Sequence, residues 1–467
     1  ENDVSKFIAP ILIKNLIYCR NEWWEYNFKT FLWGCIKDPS ASVTNCIQHN
    51  INKGLEYLYY KLNKCNEEEE HKILLNNKNL YNTFYRDVCK SSYSSQVIKY
   101  LKTYLCDNTF YDKLDDGLYK MVYKNGIFDI KTMTFKKGIE QTDYITQTIP
   151  FNFEMPLTED INYVKENIKK ICNYNEKHLD YFLSAIGYAL TGDSSKEQMF
   201  WYLRGQTADN GKSIIFETLE KLMPNYVTKA NSDVLDKGAD LRKEIATWKG
   251  LKLLWLNEMS IKQKDEDRVK ALCDGTSYKY NRLYCTEAVV MPITFKLFTV
   301  SNNTLTIKGD AGIKRRFKLG QFNSQFKENY NDDFKNLQFK KDKDFSNKLY
   351  DHYKNALIYL ILTYSNKYYI DNALLEYPTE WNDEATEVIN ENNKFEEWFL
   401  EIFDIDETGS IHKNIFVEIL NNSVYKNIKF KDEFKRMKLK FHYDSQKQEY
   451  KDGIRIKGFW IGFSLSK

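Results

Sequence analysis

The stretch Leu203-Arg204-Gly205-Gln206-Thr207-Ala208-Asp209-Asn210-Gly211-Lys212-Ser213 has the residue types and spacing of a phosphate-binding loop. In such a loop, backbone N–H groups from Gly205 through Gln206, Thr207, Ala208, Asp209, Asn210 and Gly211 converge on the β-phosphate. Lys212 reaches the β/γ oxygens, and the Ser213 hydroxyl holds Mg²⁺. One residue more than the usual spacing separates Gly205 from Gly211, which alters the front of the cradle and leaves Lys212 and Ser213 in place. Downstream, Glu258 ends an apolar run from Lys249, where a carboxylate can hold the Mg²⁺ shell and polarise an attacking water. Asn302 follows another apolar run, Phe295 to Val300, where an amide can bond a γ-phosphate or that water without adding charge. Arg315 and Arg316 offer permanently charged, forked donors suited to a transferring phosphoryl group. Between Glu258 and Asn302, the segment Asp274 to Tyr284 interleaves cationic and aromatic residues. There Lys279, Arg282 and Tyr284 are candidates for pairing with nucleic-acid phosphates and stacking on bases, with a plain exposed hairpin as the alternative.

These side chains need strands that end together. Met199 to Leu203 reads as the strand before the loop and Ile214 to Leu222 as the helix after it, its unpaired N-terminal amides aimed at the anion. Upstream, Ile11 to Cys35 reads as a hairpin with aromatic pairs, and Val43 to Leu105 has helical spacing with Ile47, Ile51, Leu55, Leu58, Tyr59 and Leu62 on one stripe. Met121 to Ile130, Thr134-Phe135 and Tyr144 to Phe153 read as strands, turning at Asn125-Gly126. Asn162 to Tyr174 and His178 to Leu190 read as helices, the second stopped at Gly192. Beyond the arginines, Asn347 to Tyr364 reads as one helix. The tail reads as helices over 394–403, 411–420 and 432–441, then a hairpin over 450–464 turned near Asp452-Gly453 or Gly458. That succession is winged-helix-like.

With 467 residues the chain has room for roughly two to four domains, and only 7 Pro and 19 Gly speak against long linkers. A net charge of +3 names no polyanionic partner by itself. Its distribution is more telling: residues 381–410 hold ten carboxylates against one Lys, and residues 424–467 hold twelve Lys/Arg against five Asp/Glu. The second stretch is a candidate nucleic-acid face, with a solvated surface as the equal alternative. The 9 Cys form no Cys-x-x-Cys pair, the pattern of reduced thiols in an intracellular protein. Cys46, His49, Cys65 and His71 are the one metal-like grouping, and half of it lies beside the acidic run Glu67 to Glu70, so structural zinc is not the expectation. No signal-peptide pattern or membrane-length apolar run occurs. The chain starts with Glu rather than Met and is compatible with a piece of a longer polypeptide.

Phe182-Leu183-Ser184-Ala185-Ile186-Gly187-Tyr188-Ala189-Leu190-Thr191-Gly192, leading into Met199-Phe200 and Asn210-Gly211-Lys212-Ser213, resembles the superfamily 3 helicases. Within them the chain is most similar to the poxvirus-type primase–helicases of large DNA viruses and related phages. Lys124-Asn125-Gly126-Ile127-Phe128-Asp129-Ile130, Asn257-Glu258, the 274–284 segment, Asn302 and Arg315-Arg316 complete the set. The resemblance covers about residues 10–325 well and the tail weakly. The longer loop and a hairpin lacking a Gly-Gly-Asp lead-in depart from the family's pattern.

The resemblance implies an α/β fold. An AAA+ P-loop NTPase core over 196–325 would follow a helix-rich N-terminal region over 1–195 with short β-hairpins. A helical lid or linker over 326–380 and a C-terminal winged-helix-like domain over 381–467 would follow. It implies a hexameric ring using ATP and Mg²⁺, with Lys212, Ser213, Glu258 and Asn302 acting in cis, and Arg316, aided by Arg315, acting from the next subunit. Single-stranded and forked DNA, moved 3′ to 5′, and a primase domain or subunit with other replisome proteins would be its partners. Virus replication sites in the host cytoplasm would be its location. Asp404-Ile405-Asp406 has the Asp-x-Asp form of a primase metal strand, yet inside an acidic stretch it reads as a solvated turn, so priming is not expected of this segment. A monomeric P-loop kinase or nucleotide switch, and a non-catalytic DNA-binding scaffold, are the competing readings.

Overall fold

The computed structural model describes all residues except 206–209, 243, 260–263, 282–287, 304, 306, 308–309, 329, 392–393, 427–433, 435–440, 452–453 and 467. It divides into two compact units, the first comprising Glu1–Gly117, Met121–Phe128 and Phe135–Phe153.

In the first unit, helix Asn2–Leu12 precedes an antiparallel meander of Leu16–Cys19, Glu22–Asn27 and Leu32–Ile36. The expected hairpin gains a third strand because the Asn27 carboxamide accepts from the N–H groups of Lys29 (2.9 Å) and Thr30 (3.2 Å), closing a second turn. Trp24, Tyr26 and Trp33 pack from this sheet onto Phe110 and Leu114. The helical spacing resolves into Ser40–Lys64, Glu68–Val88 and Ser91–Tyr104. Val43, Ile47, Ile51 and Leu58 face the core, while Tyr59 points away, 48% exposed. The strand expected over 144–153 makes an isolated bridge, Ile149 to Tyr123, rather than a ladder.

The second unit contains a five-stranded, wholly parallel sheet: Phe200–Gly205, Val227–Ala230, Leu253–Asn257, Lys296–Ser301 and Phe317–Phe322. Taken as first to fifth in chain order, they lie side by side as 5-1-4-3-2. The three inner strands, Phe200–Gly205, Leu253–Asn257 and Lys296–Ser301, are near-continuous buried runs because both faces are covered. One cover is helix Glu176–Thr191, which starts at an Asn175 side chain accepting from the Lys177 and His178 amides and stops at Gly192, φ +76°. It is buried almost throughout. A Cβ on its Gly187 would lie 2.8 Å from the backbone nitrogen of Ser365, so glycine permits helix Lys354–Asp371 to approach this closely. The single helix expected over 347–364 is instead Phe345–Asp351 and Lys354–Asp371, parted at His352-Tyr353.

Residues from 381, expected to belong to the C-terminal domain, instead lie largely in helix Thr379–Glu391, which supplies Ala385, Val388 and Ile389 to the core under the sheet. Just before it, the Tyr377 hydroxyl donates to the carbonyl of Leu319 (2.9 Å) and accepts from the Leu319 amide (2.9 Å) on outer strand Phe317–Phe322. The C-terminal module accordingly starts near Lys394: helix Lys394–Ile402, strand Phe403–His412, helix Lys413–Asn421, and strands His442–Lys451 and Ile454–Leu465. The three strands form one antiparallel sheet over an aromatic core that includes Phe399, Phe403, Phe416, Phe434 and Phe463. Asp404-Ile405-Asp406 is thus strand rather than turn. Its polarity is tolerated because Asp406 lies at a bulge, accepting from the Thr408 amide at 2.9 Å. The helix expected over 432–441 lies, apart from Phe434 and Phe441, outside the described residues, as does the Asp452-Gly453 turn.

Candidate functional site

Register places the site. Ser301 pairs with Arg204 and Val300 with Asn257, so Gly205, Glu258 and Asn302 leave three adjacent strands at the same edge of the sheet. Ligands in open parallel sheets bind outside such carboxyl ends. Helix Lys212–Leu222 begins at the same edge, behind Gly211 at φ +79°.

Lys212 is 3% exposed, and its Nζ donates to Asn302 Oδ1 at 3.1 Å. Asn302 Nδ2 in turn donates to Glu258 Oε1 at 3.4 Å. One amide therefore links the cation expected at the β/γ oxygens and the carboxylate expected at Mg²⁺ and the attacking water. Burial lowers the Lys212 pKa to about 8, against the opposing pull of the Glu258 carboxylate. A phosphate entering here would reverse that desolvation cost by pairing with the ammonium. Glu258 itself has φ +53°, a left-handed backbone that costs a non-glycine residue of order 1 kcal/mol. The turn is held by Glu258 N–H donating to the Val300 carbonyl (2.8 Å) and by Asn303 Nδ2 donating to the Met259 carbonyl (3.1 Å). Tyr202 completes the brace, its hydroxyl donating to the Asn303 carbonyl at 2.5 Å. Tyr202 and Asn303 are positioning residues that no local pattern in the sequence marks.

Gly205 is needed for space: an added Cβ would fall 1.9 Å from Asn210 Nδ2 and 2.1 Å from Lys212 Nζ. Gln206, Thr207, Ala208 and Asp209 lie outside the described residues. Asn210, Gly211, Lys212 and Ser213 line a cavity of about 330 Å³ together with Glu258, Asn302, Ile171, Phe326 and Phe345. A buried ammonium, a hydroxyl, one carboxylate and a helix N-terminus fit a Mg²⁺-bound triphosphate, in which phosphate oxygens and water supply most of the metal's ligands. Among the described residues, no group of three or more His, Cys, Asp or Glu is placed to hold a metal, Cys46, His49, Cys65 and His71 included.

The arginines stand apart from this cavity. Arg315 is exposed and donates to Gln198 Oε1 at 2.7 Å. Arg316, 11% exposed, is ion-paired with Asp274 at 2.5 Å and donates to the Gly312 carbonyl at 3.1 Å. The 274–284 segment is a hairpin arm: Ser277–Asn281 pairs antiparallel with Ala288–Pro292, with Lys279 opposite Val290. Lys279 is exposed, whereas Tyr278 and Tyr280 pack on the sheet's core, so alternation along the strand puts Lys279 on the opposite face. Arg282 and Tyr284 lie outside the described residues.

Fold and site together define a mixed α/β protein with a candidate anion-binding edge on a parallel sheet. Residues 18–182 match the family described as "D5 N terminal like". Among curated proteins, the chain is 30% identical over 173 residues to "Putative helicase 121R" of Invertebrate iridescent virus 3, covering 33% of this chain and 18% of that one. It is 27% identical over 295 residues to "Putative helicase L207/L206" of Acanthamoeba polyphaga mimivirus, covering 60% and 30%. It is 22% identical over 363 residues to "Putative helicase V13" of Sputnik virophage, covering 73% and 44%. A solved structure of the NrS-1 C terminal region aligns with a TM-score of 0.37 and 13% identity over 67% of this chain and 77% of that one. The family and helicase matches bear out the chain's resemblance to the primase–helicases of large DNA viruses. The chain spans less than half the length of each of these three relatives. Among the described residues, no helix is long and apolar enough to cross a membrane.

Proposed function

We propose that this chain is the motor of an ATP-dependent DNA helicase in viral genome replication, built as an AAA+ ring. The observation that carries the reading is the Lys212–Asn302–Glu258 chain of hydrogen bonds at the carboxyl ends of adjacent parallel strands. The 5-1-4-3-2 strand order supports it, since the strand between the loop strand and the acid strand is the one that delivers Asn302. In this reading Lys212 and the amides of the loop, 205–211, hold the β/γ phosphates. Ser213 and Glu258 hold Mg²⁺, and Glu258 orients the attacking water, with Asn302 fixing the carboxylate's position. Arg316 and Arg315 stabilise the transferring phosphoryl group of a neighbouring subunit, in a hexamer. Lys279, with Arg282 and Tyr284, grips one DNA strand moving 3′ to 5′, and the winged-helix-like module from Lys394 onward helps load DNA. A primase domain or partner acts on the strand so released.

The test is ATP hydrolysis with and without single-stranded DNA, paired with strand separation on forked duplexes bearing a 3′ or a 5′ tail. Hydrolysis stimulated by DNA, with unwinding of the 3′-tailed fork, is the expected result. ATP turnover indifferent to DNA would favour the monomeric kinase or switch.

A further inference from the structure

We infer that Gln198, in the segment between helix Glu176–Thr191 and the first sheet strand, is a positioning residue that holds Arg315 and releases it when the hairpin arm moves. This rests on the reading above, in which Arg315 serves a neighbouring subunit's nucleotide and Lys279 on the arm meets DNA. It adds the residue through which the arm would act on the arginine. Gln198 turns one amide toward two elements: its Oε1 accepts from Arg315 at 2.7 Å, and its Nε2 donates to the Asp274 carbonyl at 3.5 Å. Arg315 lies on helix Ala311–Arg316, and Asp274 stands just before Ser277–Asn281, the incoming strand of the arm. Oε1 and Nε2 share one plane, so a shift of the arm's root that changes the Nε2 contact also re-aims the acceptor under Arg315. At 3.5 Å that contact is long enough for a small displacement to break.

The main chain leading to Gln198 is fixed, which leaves its side chain as the part that can turn. Lys296, 2% exposed at the start of its strand, donates to the carbonyls of Ser194 (2.5 Å) and Glu197 (2.6 Å). The Glu197 amide donates to the Tyr188 hydroxyl at 2.9 Å. Buried Ser194 reaches both halves of the arm's root: its hydroxyl donates to the Ile293 carbonyl, just after Ala288–Pro292, and lies 3.2 Å from the Gly275 carbonyl. The same short segment thus anchors the arm and carries the tether for Arg315. The tether is weak by its chemistry. A neutral amide accepts from a guanidinium less strongly than a carboxylate does, so an anionic phosphoryl group displaces Gln198 more readily than it would displace Asp274 from Arg316.

The experiment measures turnover of saturating Mg²⁺-ATP by the full chain, with and without single-stranded DNA, for wild type, Gln198→Met, Gln198→Glu and Arg315→Ala. Methionine keeps the length and makes neither bond, so turnover without DNA should rise several-fold and DNA should add little more. Glutamate grips Arg315 through a charged acceptor and loses the donor to Asp274, so turnover without DNA should fall several-fold and DNA should restore little of it. A residue that only supports the fold would move the two variants in the same direction. If the methionine variant melts below wild type, Gln198→Ala removes the same two bonds and should give the same rise. Met and Glu variants on the same side of wild type, or both at wild-type rates while Arg315→Ala is impaired, would overturn the role of Gln198 and leave the arginine reading standing. Arg315→Ala at wild-type rates, or wild type whose turnover is absent or indifferent to DNA, would overturn that reading and the role of Gln198 with it.

Discussion

Arg316 and Asp274 are joined by an ion pair of 2.5 Å, the arginine 11% and the aspartate 37% exposed. Asp274 stands at the root of the Ser277–Asn281 arm, and Gly275 beside it (φ +67°) is wedged where a Cβ would lie 2.0 Å from the Ser194 carbonyl. The helix carrying Arg316 and the root of the arm are therefore fastened together, and Lys270 adds a second ion pair to Asp310. If Arg316 serves a neighbour's nucleotide, it must first leave Asp274. Asp274→Asn should then raise ATPase without DNA several-fold, by analogy with the large effects of such arginines, and shrink the extra stimulation by DNA. Unchanged or lower turnover with stimulation retained would mean that the pair only holds the fold. Arg316→Ala mixed with wild type should depress activity more than in proportion to its share.

Gly205→Ala should weaken Mg²⁺-ATP by at least about tenfold, since its Cβ would overlap Lys212 Nζ and Asn210 Nδ2. Both clashing atoms are side-chain tips, so the melting temperature should move by only a few degrees. Titration calorimetry and a melting curve together check this. Full affinity would show that the loop does not close around Lys212.

The lowered pKa of Lys212, about 8, sets a pH dependence. Below it the free ammonium is already protonated and ATP affinity should be flat. Above it the free lysine is neutral and must take up a proton on binding, so affinity should fall by up to about tenfold per pH unit. Lys212→Arg, always charged, should flatten the profile between pH 7 and 9.5 if it binds at all. A wild-type affinity that rises with pH over this range would refute the lysine–phosphate contact.

Truncations should distinguish the tail from the core. Deleting 394–467 should weaken DNA loading more than ATPase without DNA. Deleting 381–467 removes buried Trp381, Ala385, Val388 and Ile389 as well, and should lower the melting temperature by many degrees. Equal behaviour of the two truncations would contradict the placement of helix Thr379–Glu391 under the sheet.

Much of the parallel sheet and of the candidate site at its carboxyl ends was legible because its signals are local. Apolar runs ending in Gly205, Glu258 and Asn302 made their strands and tips readable one at a time, and the family resemblance set them in order. What stayed hidden depends on distant chain or on which way a strand faces. Nothing around Tyr278 or Tyr280 marks them as inward, and nothing near Arg316 names Asp274 as its partner, 42 residues earlier. The strand Phe403–His412 was unreadable for another reason: Asp404 to Ser410 is mostly polar, and backbone pairing with Ile454–Leu465, not an apolar pattern, makes it a strand. The walls at Ile171, Phe326 and Phe345 are ordinary core-like residues in sequence and become distinctive only by sharing a cavity with Lys212.

The Tyr377 hydroxyl, by engaging both the amide and the carbonyl of Leu319, occupies main-chain groups that an outer strand would otherwise offer to a neighbour. At this point copies of the chain cannot join by extending one sheet into the next. In the proposed ring, a contact along this edge would then be made by side chains, which can part and re-form as nucleotide comes and goes, where a continuous ladder of main-chain bonds would lock the subunits.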